Sequence, residues 1–449
     1  MATQRPVAVV TTSGTAAAEL LPAMIEAHYQ GLPLVAVTAD RPKLYRGTGA
    51  PQAIEQAALF GPYAGLTLDV DVSTDASEWL QSAAPNEPSH LNVCLEEPLD
   101  PEIEGVEFAS QDVAFGDRTR TPEFDLGELI AWLSRHERTM VAVAGLHPTE
   151  ATLLTPLLLT LGIPIFAEAT ANLGGAPQLR PLLIPPTEQS IRALAPTAVL
   201  RIGAVPSGRW WRDLEAPSEV AVLSLSKTGH SGLARQTNVQ SGVFDFAHAI
   251  DACDFPHTGT ASAPPLPQPF SDQATCIPNE KAWLNEIATV IPDNALVFLG
   301  NSLPIREWNE TVGNSRPLRT FANRGANGID GLVSAFLGLS ADETGSESWL
   351  ILGDLSALYD LAAPWILSQL PEANRRIVVL NNGGGRIFSK VKSLQHLAVG
   401  TRAMIENPHQ LSFRPWAELW SMPHRLVEKP TDLRNLAQGP LVIEIPTQP

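Results

Sequence analysis

Eight short apolar runs constrain the fold of this chain more than any other feature of its sequence. The runs are rich in Val, Ile, Leu and Ala, and they alternate with segments of helical periodicity. Continuous hydrophobicity of this kind is typical of parallel strands that helices cover on both faces. The pattern predicts doubly wound parallel α/β sheets with right-handed crossovers. The runs occupy residues 7–12, 34–39, 140–145, 198–203, 220–225, 296–300, 349–354 and 376–382.

The grouping of these runs predicts three α/β domains. A chain of 449 residues exceeds what one hydrophobic core ordinarily serves, and the runs fall into three groups. A stretch rich in Pro, Gly and Ser, residues 254–273, cannot pack into a core and is typical of an interdomain linker. We therefore expect a first domain over 1–120, a central domain over 121–253, this linker, and a third domain over 274–449.

Charge and composition exclude several classes of function. The net charge of -18 would repel nucleic acid, and no block of Lys or Arg opposes it. The most apolar stretch is interrupted by Pro156, Gly162 and Pro164, which predicts a helix, a turn and a buried strand rather than a membrane span. The three cysteines lack disulfide or metal-ligand spacing, and no signal core precedes the first strand. We expect a cytoplasmic protein with no membrane insertion and no nucleic-acid partner.

Two polar motifs follow two successive apolar runs of the third group. The first is Gly353-Asp354-Leu355-Ser356, and the second is Asn381-Asn382-Gly383-Gly384-Gly385. The 28 residues from Asp354 to Asn382 allow one crossover helix, so both motifs should emerge at the carboxyl edge of neighbouring parallel strands. A carboxylate, an amide oxygen and a backbone carbonyl form a hard-oxygen set that suits Mg²⁺. We predict Asp354, Asn382 and the carbonyl of Gly384 as metal ligands, with diphosphate oxygens and water completing the shell.

This pair resembles the diphosphate- and metal-binding motif of thiamine-diphosphate enzymes, although Leu355 departs from the commonest form of the motif. Further segments resemble one family, the 2-succinyl-5-enolpyruvyl-6-hydroxy-3-cyclohexene-1-carboxylate (SEPHCHC) synthases of menaquinone biosynthesis. The resemblance is strong over residues 6–60 and 296–390 and architectural in the central third. The segments are TSGTA (12–16), TADRP (38–42), GAPQAIEQ (49–56), GNSLPIREW (300–308), NRGANGIDGLVS (323–334), GDLSALYDL (353–361) and NNGGGRIFS (381–389).

The resemblance implies a transferase that uses thiamine diphosphate and Mg²⁺, with Mn²⁺ as an alternative metal. The reaction would be the decarboxylative addition of 2-oxoglutarate to isochorismate, with the cofactor supplying the carbanion chemistry. The cofactor would span the first domain of one subunit and the third domain of another. The resemblance therefore also implies a homo-oligomer, either a dimer or a tetramer of two such pairs.

The resemblance also assigns site residues. Arginines suit two dicarboxylate substrates because a planar guanidinium meets a carboxylate with two charge-assisted hydrogen bonds. The residues that would bind substrate or wall the reacting centre are Arg41, Gln52, Ser302, Arg306, Arg324, Ile387 and Phe388. The residues that would contact the cofactor are Ser13, Gly14, Thr15, Asn327, Ile329, Asp354, Leu355, Asn382, Gly384, Gly385 and Arg386. The histidines at 28, 147, 230 and 409 show no metal spacing, and we expect them to be surface or locally bonded residues.

One expected motif is missing from the sequence. Family members carry an activating glutamate in an Asp-Glu-Arg-Gly-like motif upstream of TSGTA, and an earlier Gly-Ser-Arg-Ser segment, and neither is present here. We therefore expect an N-terminally truncated or mis-started reading frame that binds cofactor and Mg²⁺ with little turnover.

Two alternative functions stay open. The first is another thiamine-diphosphate 2-oxoacid decarboxylase or synthase. The arginines at 41, 306 and 324 argue against it because pyruvate needs fewer positive anchors. The second is a cofactor-binding relative without catalysis, which the absent glutamate favours.

Overall fold

Three parallel sheets form the framework of the protein, as the apolar runs predict. The computed structural model describes residues 5–71, 74, 76–82, 86–96, 126–216, 219–244, 246, 279–391 and 394–447. The described residues fall into two compact units, one within Met1–Glu123, Lys227–His230 and Gly242–Phe244, and the other within Phe124–Ser226, Ser231–Ser241 and Asp245–Pro449. The predicted domain boundary at 121 and the predicted linker over 254–273 lie outside the described residues, so the domain limits stay predictions.

The first unit contains a four-stranded parallel sheet. Its strand order is β1-β2-β4-β3. The apolar runs predict only β1 and β2, because polar residues interrupt the apolar pattern of β3 and occupy buried positions of β4. The strands are β1 (Val7–Thr11), β2 (Leu34–Asp40), β3 (Leu66–Asp71) and β4 (Ser89–Cys94). The helices are α1 (Thr15–Ala18), α2 (Leu21–Gln30) and α3 (Ser77–Ser82).

The second unit begins with a five-stranded sheet of order β6-β5-β7-β8-β9. The helix, turn and strand predicted from the apolar stretch are confirmed, because the helix ends in a left-handed Gly162 (φ 60°) and a buried strand follows. The strands are β5 (Thr139–Ala144), β6 (Ile165–Ala167), β7 (Ala198–Gly203), β8 (Ala221–Ser226) and β9 (Val239–Val243). The helices are α4 (Leu126–Leu133), α5 (Pro148–Leu161), α6 (Glu188–Leu194) and α7 (Arg209–Asp213).

The second unit also contains a six-stranded parallel sheet of order β11-β10-β12-β13-β15-β14. Trp283, Trp308 and Trp349 are fully buried in its core, so the helices that carry the first two are packed firmly on the sheet. The strands are β10 (Leu296–Leu299), β11 (Arg319–Phe321), β12 (Ser348–Gly353), β13 (Arg375–Asn381), β14 (His424–Leu426) and β15 (Leu441–Pro446). The helices are α8 (Glu280–Val290), α9 (Leu303–Thr311), α10 (Leu332–Leu339), α11 (Asp354–Leu358), α12 (Val399–Glu406) and α13 (Arg414–Leu419).

The pairing of β12 with β13 determines where the site lies. Gly353 at the end of β12 is in register with Leu380 near the end of β13, so the two polar motifs leave the sheet side by side. Parallel α/β sheets bind ligands at this carboxyl edge. Among the described helices, none is long and apolar enough to cross a membrane.

Candidate functional site

Asp354 joins the two polar motifs. It begins α11 directly after β12, and it is only 2% exposed. One carboxylate oxygen, Oδ1, accepts the N–H of Leu355 at 2.7 Å. The other, Oδ2, accepts the N–H of Gly384 at 2.9 Å. The structure thus brings Asp354 and the glycine turn together, as the sequence predicts.

The side-chain amide of Asn382 is hydrogen-bonded through its nitrogen, whereas its oxygen has no partner among the described residues. Its Nδ2 donates to Oε1 of Glu280 at 2.6 Å. Its Oδ1 is buried and has no hydrogen-bond partner among the described residues. A buried acceptor without a partner is uncommon and costs free energy unless another group satisfies it. This oxygen fits a ligand of a hard cation.

Gly384 has a backbone that no other residue would adopt easily. Its φ is 134°, and a Cβ at this position would lie 2.6 Å from the carbonyl oxygen of Glu406 and 2.9 Å from that of Asn407. Its carbonyl accepts the N–H of Arg386 at 2.8 Å, which leaves one lone pair of that oxygen available. The three predicted ligand residues therefore fit a metal ion bound through oxygen.

His409 lies closer to this site than the sequence predicts. Its Nδ1 accepts the N–H of Leu411, which is the expected local bond, but its Nε2 lies 3.3 Å from Oδ2 of Asp354. Its side chain is 11% exposed, so of the two expected alternatives, surface or locally bonded, His409 is the locally bonded one. The backbone N–H of His409 also donates to the carbonyl of Gly383, which holds His409 beside the glycine turn that Asp354 contacts. Sequence spacing offers no signal for this contact.

Hydrogen bonds from the end of the glycine turn and the residue after it stabilise the turn. Arg386 donates through Nε to the carbonyl of Asn382 at 3.1 Å, and Gly385 donates its N–H to Glu406 at 2.6 Å. A short 3₁₀ helix, Arg386–Lys390, then carries Ile387, which is half-buried, and Phe388, which is exposed. Both apolar residues therefore follow directly on the metal motif.

Two of the predicted arginines are held by backbone and amide oxygens. Arg306 donates from Nη1 to the carbonyl of Ser302 at 2.6 Å and from Nε to the carbonyl of Ser207 at 3.1 Å. Burial lowers the pKa of Arg306 below its ordinary value. Arg324 donates from Nη1 to Oδ1 of Asn301 at 2.8 Å. The orientation of both guanidinium groups is thus fixed by residues that follow strands.

The loop around Arg324 contains the other two predicted cofactor contacts. Asn301 donates from Nδ2 to the carbonyls of Asn323 and Gly328, which ties this loop to the end of β10. Asn327 is exposed and left-handed (φ 62°), and Ile329 is half-buried. The loop is therefore well anchored at its base, while Asn327 lies at its exposed tip.

Glu168 is a buried acid that the sequence did not single out. It follows β6, is 2% exposed, and accepts both the N–H (2.6 Å) and the hydroxyl (2.8 Å) of Ser207. The same hydroxyl oxygen accepts Nδ2 of Asn309 on α9. Burial raises the pKa of Glu168, and the charge of Arg324 opposes this rise. Glu168 and Ser207 therefore link the central sheet to the helix that carries Arg306.

The predicted cofactor residues of the first unit lie in a short turn. Ser13 is buried, Gly14 has a φ of 82°, and Thr15 begins α1. The N–H of Gly14 donates to Oε1 of the fully buried Gln56 at 2.9 Å, so this N–H is already bonded within the protein. A Cβ on Gly14 would lie 3.3 Å from Cα of Gln52, so Gln52 and the turn are neighbours.

Arg41 lies beside a cluster of acids. Its N–H donates to Oδ1 of Asp40, and its guanidinium carbon lies 5.4 Å from the centre of the Tyr45 ring. Ligand atoms of Asp40, Asp69 and Cys94 lie within 4.8 Å of one another, which is close enough for a metal site. Arg46, however, donates to all three, at 2.9, 2.7 and 3.0 Å.

The hydrogen bonds from Arg46 hold the pKa of Asp69 at about 2. Arg46 therefore occupies the ligand atoms of this cluster and offsets one of its two carboxylate charges.

Comparison with known proteins defines the class. A family model described as the N-terminal TPP binding domain of thiamine pyrophosphate enzymes matches residues 1–59. A solved structure described as a thiamin diphosphate-dependent enzyme from Mycobacterium smegmatis has the same fold, with a TM-score of 0.69 and 20% identity. The alignment covers 100% of this chain and 88% of the chain in that structure. The fold and the matched domain are those of a thiamine-diphosphate-dependent enzyme.

The relatives then define the family. A SEPHCHC synthase from Akkermansia muciniphila is 39% identical over 96% of this chain and 81% of its own length. One from Bdellovibrio bacteriovorus is 37% identical over 98% of this chain and 84% of its own length. The chain belongs to the SEPHCHC synthase family, the thiamine-diphosphate-dependent transferases of menaquinone biosynthesis. The resemblance inferred from the motifs is confirmed.

Proposed function

We propose that this protein carries out the decarboxylative addition of 2-oxoglutarate to isochorismate, with thiamine diphosphate held through Mg²⁺ by Asp354, Asn382 and the carbonyl of Gly384. The observation that carries the metal assignment is the buried Oδ1 of Asn382, which has no partner among the described residues and lies at the end of the strand next to Asp354. Mn²⁺ would suit the same oxygen ligands. Thiamine diphosphate, when bound, supplies the electron sink that makes decarboxylation of a 2-oxoacid feasible.

We assign the binding of substrate carboxylates to Arg306 and Arg324, together with Ser302. Arg306 uses Nε and Nη1 to hold backbone carbonyls, which fixes the direction in which its remaining donors point. A guanidinium fixed in this way loses little entropy when it binds a carboxylate. Ile387 and Phe388, which follow the metal motif, would exclude water from the reacting centre.

We assign Arg41 and Gln52 to isochorismate, and Ser13, Gly14 and Thr15 to the pyrimidine end of the cofactor. Gln52 has a left-handed backbone (φ 59°), which is unusual for a residue other than glycine and is typical of functional sites. Beside the six-stranded sheet, we assign Leu355, Gly385 and Arg386 to the diphosphate region of the cofactor. We assign Asn327 and Ile329 to the loop that supports the cofactor.

We further propose that the protein is a cytoplasmic homo-oligomer, either a dimer or a tetramer. Large apolar side chains exposed at the surface of the second unit support self-association, because they lose contact with water when a second copy covers them. The side chains of Tyr359, Trp365 and Leu419 are 62%, 70% and 69% exposed. Sedimentation equilibrium would test this assembly, and a monomer at micromolar concentration would contradict it.

The substrate assignment is tested by supplying Mg²⁺, thiamine diphosphate and isochorismate with either 2-oxoglutarate or pyruvate, and by identifying products by mass spectrometry. Of the two 2-oxoacids, we expect only 2-oxoglutarate to give an adduct, SEPHCHC. Replacing Arg324 by Ala removes hydrogen bonds to a charged group, each worth about 1.5–3 kcal/mol, so kcat/KM should fall about 10- to 150-fold. Equal use of pyruvate would favour another 2-oxoacid enzyme, and cofactor binding without any product would favour a non-catalytic relative.

A further inference from the structure

Glu280 lies at the amino end of α8, 102 residues before Asn382, and it contacts the amide that the proposed metal site uses. Its Oε1 accepts Nδ2 of Asn382 at 2.6 Å and the hydroxyl of Thr447 at 3.2 Å. Glu280 is the first residue of α8, whose backbone is capped by the side chain of Asn279. The carboxylate therefore approaches Asn382 from a fixed helix end.

The chemistry of a carboxylate determines which end of the amide faces it. An ionised carboxylate can only accept hydrogen bonds, so the Asn382 amide must present its nitrogen to Glu280. Because the amide group is planar, its oxygen then points away from Glu280. That oxygen, Oδ1, is the buried atom without a partner among the described residues. Glu280 thus selects the oxygen as the group that is left for a cation.

The surroundings keep Glu280 in place. A second acid, Glu307 on α9, lies next to it, is 5% exposed, and accepts Nζ of Lys390 at 2.5 Å. Lys390 comes from the 3₁₀ helix that follows the glycine turn. Glu307, with Lys390 bonded to it, therefore lies beside the carboxylate of Glu280 rather than beside Asn382.

We propose that Glu280 is a positioning residue of the metal site, which orients Asn382 so that its oxygen is presented to the divalent cation. This inference rests on the proposed metal site. Partners of metal ligands in other proteins typically change metal affinity 10- to 100-fold when they are removed. Without Glu280 the amide can rotate and present either end to the cation.

The test measures Mn²⁺ binding by the loss of the free-ion EPR signal, in the presence of thiamine diphosphate and without substrates. We expect Glu280→Ala to bind Mn²⁺ about 10- to 100-fold more weakly than the unmodified protein. Glu280→Gln keeps an acceptor oxygen for Nδ2 of Asn382 and for Thr447, but its own amide nitrogen can instead donate to Oδ1 of Asn382, so Mn²⁺ affinity should fall by less than in the Ala variant. Glu286→Ala, on the same helix, makes the same change in charge and should leave Mn²⁺ binding unchanged.

Each outcome either supports the positioning role of Glu280 or overturns it. Mn²⁺ binding by Glu280→Ala within twofold of the unmodified protein would overturn the proposal. Equal weakening by Glu280→Ala and Glu286→Ala would assign the effect to negative charge and would also overturn it. The Gln variant keeps the size of the side chain, so unmodified Mn²⁺ affinity in it would overturn the proposal if the Ala variant fails to fold. Absence of Mn²⁺ binding by the unmodified protein would contradict the metal site itself, and the role of Glu280 with it.

Discussion

Replacing Glu168 by Ala should destabilise the second unit strongly. The change leaves two donors of Ser207, its N–H and its hydroxyl, without the carboxylate that they bond at 2.6 and 2.8 Å. Hydrogen bonds to a charged group contribute about 1.5–3 kcal/mol each, so the two bonds together contribute about 3–6 kcal/mol. Burying the charged carboxylate itself costs free energy, as the raised pKa of Glu168 indicates. This cost offsets part of the stabilisation that the hydrogen bonds provide. We therefore expect a loss of about 3 kcal/mol.

Urea-induced unfolding, followed by tryptophan fluorescence, measures this loss, because Trp210 and Trp211 are buried in the same unit. Glu168→Gln keeps an acceptor for Ser207 and should cost only about 1 kcal/mol. Glu188→Ala is the matched control, since this exposed acid forms only a surface pair with Arg192 and should change stability by less than about 0.5 kcal/mol. A loss for Glu168→Ala as small as that of the control would refute the reasoning.

The pH dependence provides a second measurement on the same residue. The folded pKa of Glu168 lies above its ordinary value of 4.5, so the folded state takes up a proton at a higher pH than the unfolded state does. The unmodified protein should therefore gain stability relative to Glu168→Gln as the pH falls from neutral toward 4.5. A constant difference between the two proteins across this range would contradict an elevated pKa.

Two further predictions concern other parts of the chain. Burial lowers the pKa of His90 from 6.5 to about 4, so its contribution to stability is complete above pH 6.5 and is lost as the pH falls toward 4, up to about 3 kcal/mol. Urea unfolding between pH 7 and pH 4.5 checks this, and His90→Gln should lose that part of the pH dependence. Gly384→Ala should abolish Mn²⁺ binding, because its Cβ would lie 2.6 Å from the carbonyl oxygen of Glu406. Binding by this variant at unmodified affinity would contradict the turn geometry.

The sequence predicts the parts of the fold that depend on local pattern. The apolar runs locate β12 and β13, and their parallel pairing places Asp354 beside the turn of Gly384. Strands β3 and β4 could not be found in this way, because Asp69, His90 and Asn92 interrupt their apolar pattern. These polar residues are tolerated because they bond one another or Thr38 and Arg46 across the sheet, and no local rule predicts such partners.

The residues that support the site could not be predicted from the sequence, for a related reason. Glu168 bonds a serine 39 residues away, and Glu280 bonds an asparagine 102 residues away. Neither acid lies in a recognisable motif, so only the tertiary fold shows what each one holds. The proximity of the proposed ligands, Asp354 and Asn382, could be predicted because they follow successive strands that pair in parallel.

The most direct test of the account is a calorimetric titration of thiamine diphosphate with and without Mg²⁺, using the unmodified protein and Asp354→Asn. Asn keeps an acceptor oxygen for the Leu355 or Gly384 N–H but removes the charge that would bind the metal. The account predicts that the unmodified protein binds the cofactor only with Mg²⁺, and that Asp354→Asn weakens this binding at least about 10- to 100-fold. Cofactor binding of equal affinity in EDTA, or in Asp354→Asn, would contradict it.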